Sequence, residues 1–224
     1  MKYIIISIGI LLSVGKLCAQ KNDYQWFFGY DNENYNPNLP VDTNIGGVTV
    51  DFNSPTPTVT KHIRIADMDE GDVSYCDNDG NLVFYSNLGA IFDKRDSVML
   101  GGDSTDYGAY WNSILGWINY KYSGLRIVQG GMALPSPGDS SKAYMLYYDL
   151  VNCVFPDSLG AFLNGTFYYS VVDLKGNHGL GEVVKKDVTL LHDTLAYSYL
   201  SAVKHGNGRD WWVIRPYYIG NCYY

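Results

Sequence analysis

Residues 72–86 read DVSYCDNDGNLVFYS: an apolar strand, a polar turn containing Gly, and an aromatic-rich strand. Asp79-Gly80 favours a tight reversal, because Gly accepts positive φ without steric cost. The same plan returns twice. QGGMALP (129–135), SPGDSS (136–141) and KAYMLYYD (142–149) form the second instance. YLSAVK (199–204), HGNGR (205–209) and DWWVIRP (210–216) form the third. Corresponding points, Leu82, Ala143 and Trp211, lie 61 and 68 residues apart. A loose repeat holding about four strands is the pattern of propeller blades, here with long loops, because blades usually repeat every ~40–50 residues. A β-sandwich is the rival, with turns every ~8–12 residues and no longer period.

The rest of the chain reads the same way. Short runs rich in Val, Ile, Tyr, Phe and Trp, bounded by Gly, Asn, Asp and Pro, predict strands at 24–29, 46–52, 59–65, 72–76, 81–86, 90–93, 129–134, 142–149, 166–173, 182–190, 199–204 and 210–215. Only 107–120 and 157–164 have any helical character, and both carry Gly. LKGNHGLG (174–181) joins two strands and reads as a hairpin loop. The expected fold is all-β: a partial β-propeller of about three blades, each an antiparallel four-stranded sheet.

Composition supports this and removes other classes. Of 224 residues, 21 are Tyr and 15% are aromatic, so the chain can bury enough apolar surface to offset its ordering entropy. A formal charge of −7 with no Lys/Arg run excludes a basic nucleic-acid patch. Most Tyr residues fall in predicted strands, where the ring packs and the hydroxyl reaches water or backbone.

The first 19 residues read as a signal peptide. Lys2 supplies the positive end, residues 3–14 the apolar run, and Ala19 a small residue before the cut. The run is too short to span ~30 Å of hydrocarbon, and no second run of spanning length follows. Leu17 rather than a small residue before Cys18 argues against a lipoprotein. The expected mature chain, residues 20–224, is exported to the periplasm, cell surface or medium. Loss of Lys2 and Lys16 takes its charge from −7 to −9. It keeps Cys76, Cys153 and Cys222, an odd number that allows at most one internal disulfide. Scattered buried thiols are the plain reading of these three.

Four long stretches, 81–102, 125–150, 165–191 and 200–216, together with YQWFFGYDNENYN at 24–36, resemble a family of secreted Bacteroidota proteins. These have an N-terminal propeller-like region and commonly a C-terminal type IX secretion sorting domain or a gliding-motility-associated one. The resemblance implies a secreted or cell-surface propeller and carries over no catalytic residues. Family members run on with more blades and a sorting segment, so the resemblance also implies that this chain is the N-terminal part of an incomplete fold.

Few residues signal chemistry. Asp67, Asp69 and Asp72 in ADMDEGD (66–72) are candidate ligands for a structural calcium, although no EF-type register places Gly at position six and Glu at twelve. DNDGN (77–81) reads as a turn with Asx hydrogen bonds. His62, His178, His192 and His205 lack zinc spacing. There is no GxSxG, phosphate loop or organic-cofactor motif. Tyr107, Tyr110, Trp111, Trp117 and Tyr122, in the long 101–124 loop, are the candidate ligand-binding surface. The paired Trp211 and Trp212 are expected to point to opposite sheet faces. Two function classes follow. One is a non-catalytic module that binds a protein or glycan. The other is a glycan-active propeller enzyme using two carboxylates ~5–10 Å apart.

Overall fold

The computed structural model describes residues 21–29, 47–62, 64–68, 71–105, 124–125, 127–149, 151–153, 161–195, 199–217 and 222–224. The chain is all-β, and its described residues form four antiparallel sheets that follow one another in sequence. Sheet one is β1 (Gln25–Phe28), β2 (Gly47–Asp51) and β3 (Thr58–His62), side by side in that order. Sheet two is β4 (Val73–Cys76), β5 (Leu82–Ser86) and β6 (Ile91–Asp93). Sheet three contains β7 (Gly131–Pro135), β8 (Lys142–Tyr148), β9 (Val151–Cys153), β10 (Ala161–Asp173) and β11 (Glu182–Leu195). Its order is β11-β10-β8-β7, and β9 pairs with the start of β10. Sheet four is the hairpin of β12 (Ser201–Lys204) and β13 (Trp211–Ile214).

Strand alternation explains how these sheets pack. Successive side chains point to opposite faces, so a run of apolar residues makes a sheet apolar on both sides. In β5, Phe84 joins a core with Tyr147, Met145, Ala143 and Val172 of sheet three, while Tyr85 joins Phe27 of sheet one. In β8, Met145 and Tyr147 face sheet two, while Leu146 and Tyr148 pack with Leu200 and Val213 at sheet four. Three cores therefore lie between consecutive sheets. The first strands come together at one side of the stack, β1 against β4 and β4 against β7. Two bridges tie the sheets further, Gly29 to Met68 and Leu100 to Glu182.

Gly131 makes the β7–β4 approach possible, because a Cβ there would lie 2.4 Å from Leu88 Cδ2 and 3.0 Å from Val73 Cγ2. All three expected hairpins form, and each turn is held by an Asx side chain. Asp77 Oδ1 accepts from the backbone N–H of Asp79 and Asn81, both at 2.9 Å. Asp139 Oδ1 accepts from Ser141 N at 2.9 Å. Asn207 Oδ1 accepts from the N–H of Arg209 at 3.0 Å and of Asp210 at 2.9 Å. Gly80, at φ 88°, ends the first turn and passes its carbonyl to Asn53 Nδ2 at 2.8 Å, docking the turn on sheet one.

The sequence reading differs from the structure in three places. Among the described residues, sheets of three, three, five and two strands replace three blades of four, because β1, β2 and β3 form a sheet of their own. The helical character read at 157–164 is not realised over Ala161–Asn164. Those residues are strand, with Ala161, Phe162 and Leu163 paired to β9 and Asn164 to Leu195. β9, three residues long, had no expected counterpart. Residues 1–19 and 107–120 lie outside the described residues. No helix among the described residues is long and apolar enough to cross a membrane.

Candidate functional site: the two open sheet faces

The QWFF of β1 sends Phe27 inward to sheet two and sends Trp26 and Phe28 outward. The register then fixes the outer face of sheet one. Trp26 is opposite Val50, which is opposite Val59; Phe28 is opposite Val48, which is opposite Lys61. The Trp26 ring packs 4.8 Å from Phe52 and 6.3 Å, edge to face, from Phe28. At the other end of the stack, Val203 is opposite Trp212 and Ser201 opposite Ile214. Trp26, Phe28, Val59, Val203, Trp212 and Ile214 are 41–69% exposed. Solvent rarely meets so many large apolar side chains gathered on single faces. The Trp pair behaves as strand geometry requires. Trp211 turns inward and donates its indole N–H to Pro135 O at 3.2 Å, while Trp212 faces out beside His205.

An open cleft of about 350 Å³ lies where β1 meets β4, lined by Asp23, Trp26, Phe27, Phe28, Asp72, Val73 and Ser74. Ser74 Oγ donates to Gln25 O and so locks the two strands at its floor. Two carboxylates and an indole thus border one depression.

The seam between sheets one and two is charged. The Arg64 guanidinium stacks 3.8 Å from the Phe27 ring centroid and 4.8 Å from that of Tyr85. It donates to Asp96 Oδ1 at 2.6 Å and to Thr49 Oγ1 at 3.2 Å. Asp96 also takes the Tyr85 hydroxyl at 2.9 Å and meets His62 Nε2 at 3.0 Å. Burial and the facing Asp96 charge push the Tyr85 phenol well above its ordinary range. Within sheet three, the Tyr147 hydroxyl meets Asp187 Oδ1 at 2.5 Å and Ser170 Oγ at 2.7 Å. Asp187 sits at φ 52°, beside a register shift in the β10–β11 pairing. This network pins an irregular strand.

The expected site residues are dispersed. Asp67 is buried beside Met68, Asp72 borders the cleft, and Asp69 lies outside the described residues. Among the described residues, no three His, Cys, Asp or Glu side chains gather as a metal site. Tyr107, Tyr110, Trp111, Trp117 and Tyr122 all lie outside the described residues. His62, His178, His192 and His205 fall on β3, the β10–β11 loop, β11 and the β12–β13 turn, so they share no centre. Cys76 is buried and Cys222 exposed, and both are free thiols. Burial pushes the Cys76 thiol up to about 11, which makes it a poor nucleophile. The two open faces themselves escaped sequence reading. Their aromatics are visible in QWFF and DWW, but which side a neighbouring sheet covers is not. Compared with known proteins, the chain matches no family model, no curated protein and no solved structure.

Proposed function

We propose that this chain is a non-catalytic interaction module of β-propeller type, exported to the periplasm, cell surface or medium. One observation carries the reading: both ends of the sheet stack present apolar, aromatic faces to solvent. The stack also favours a propeller. Each sheet follows the last in sequence, the first strands of sheets one to three meet at one side, and a core fills each gap between neighbours. Export rests on the charged and apolar pattern of residues 1–19 and on the family resemblance. A protein partner fits flat apolar faces better than a glycan, which needs a dense set of polar groups along a groove.

The cleft favours a second reading. Asp23 and Asp72 border it together with Trp26, the groups a glycan-active enzyme requires.

A photo-crosslinking residue placed at Trp26 or Trp212, and at exposed Leu190 of β11 as a control, tests the choice in cells that export the protein. The interaction reading expects adducts of one defined mass from the two face positions only. It also expects no turnover of chromogenic glycosides. Turnover abolished by Asp23→Asn would replace it with the enzyme reading. Equal adducts at all three positions would remove the faces as the contact surface.

A further inference from the structure

We infer that the partner of these faces is a second copy of this chain, bound head to tail, with the fourth sheet of each copy seated on the first sheet of the other. The inference rests on the interaction reading and names its partner. Inside the chain, sheet two is covered on both faces, by sheets one and three, and sheet three by sheets two and four. Among the described residues, the outer faces of sheets one and four are the two that have no sheet against them. They obey the same alternation as the covered faces, so a further sheet face is the occupant that their shape and chemistry suit.

Several features favour a second copy in this arrangement. The described residues of each copy form four sheets, so two copies bring eight together, within the range of about four to eight blades that close propeller rings. One face of each kind meets in every contact, and two such contacts close the assembly as a finite two-fold dimer instead of an open filament. Each face leaves on the order of 300 Å² of side-chain surface exposed, taking about 150–250 Å² per large side chain. Four faces then bury on the order of 1,200 Å², the lower bound for a specific interface. The strand positions that form the faces carry one charge, Lys61 on sheet one, and none on sheet four. Little charge must therefore be desolvated. The chain's charge of −7 lies elsewhere and repels the other copy at long range, so salt strengthens the dimer.

Sedimentation equilibrium of the purified chain tests this. The wild type should reach twice the mass of one chain. Trp26→Lys and Trp212→Lys should each weaken association by about 30-fold or more, as central aromatic anchors do. Far-ultraviolet circular dichroism and the urea midpoint check that both variants fold. Mixing the two variants should restore association only in part, because the mixed pair keeps one contact of two intact faces and has one contact of two altered faces. A wild type that stays monomeric at 100 times the concentration used for crosslinking would overturn the inference. So would loss of dimers in Trp212→Lys but not in Trp26→Lys, which marks a self-contact of one face. If the chain is monomeric yet position 212 still crosslinks to a different protein, the interaction reading stands and the second copy fails. If neither occurs, both fail.

Discussion

The seam between sheets two and three and the outer face of sheet four are built alike but end differently. On the seam, Phe84 stacks on Tyr75 at 5.1 Å and both are buried with Met145 and Tyr147. On the outer face, Trp212 and Val203 occupy equivalent alternate positions of a strand pair and meet solvent. The residue types do not separate the two regions. The presence of a neighbouring sheet does. Alternation of apolar residues makes a sheet able to be covered on both faces, and topology decides whether it is.

Truncation at the seam gives the largest effect. Phe84→Ala should cost about 3–5 kcal/mol in urea unfolding, since it removes a buried ring and leaves a cavity. Trp212→Ala should cost less than about 1 kcal/mol in the monomer, since its ring is more than half exposed.

Alkaline pH should act on β4, whose Tyr75 packs in the core toward sheet three and whose Cys76 lies against sheet one. Burial, with the Asp77 charge second, pushes the Tyr75 phenol up to about 12, and burial pushes the Cys76 thiol up to about 11. Both groups stay neutral in the folded chain after they would ionise in the unfolded one, so the unfolded state loses protons first. Stability should therefore be fully present below about pH 9 and fall as pH rises toward 12, by on the order of 2–3 kcal/mol per group. Cys76→Ala should delay the onset by about one pH unit in alkaline unfolding curves.

The charged seam between sheets one and two responds less. Arg64→Met keeps bulk between Phe27 and Tyr85 but leaves Asp96 with only His62 and the Tyr85 hydroxyl among the partners described above. A loss of about 1–3 kcal/mol is expected, and a double-mutant cycle with Asp96→Asn should recover much of it as coupling.

Local features were legible in the sequence, and pairings between distant segments were not. The hairpin at 72–86 could be read from DNDG, because the Asx turn and its flanking strands are contiguous. Trp211 and Trp212 were placed on opposite faces by alternation alone. The first sheet was not recognised as separate, since its pairing depends on register between β1 and β2, well apart in the chain. Arg64 and Asp96 lie 32 residues apart with no motif, so only the fold joins them. The Ala161–Asn164 strand has no signal of its own; its partners at β9 and Leu195 decide its state. The open faces were hidden for a related reason, since exposure is a property of the stack and not of QWFF or DWW.

Adjacent lysine substitutions on opposite faces of one strand test the two-faced stack most directly, measured by urea unfolding at low protein concentration. Phe27→Lys and Val213→Lys place a charge between sheets and should lose about 3 kcal/mol or more. Trp26→Lys and Trp212→Lys point to solvent and should stay within about 1 kcal/mol of the wild type. Equal losses within either pair would contradict the account, because the outer faces would then be covered within one chain.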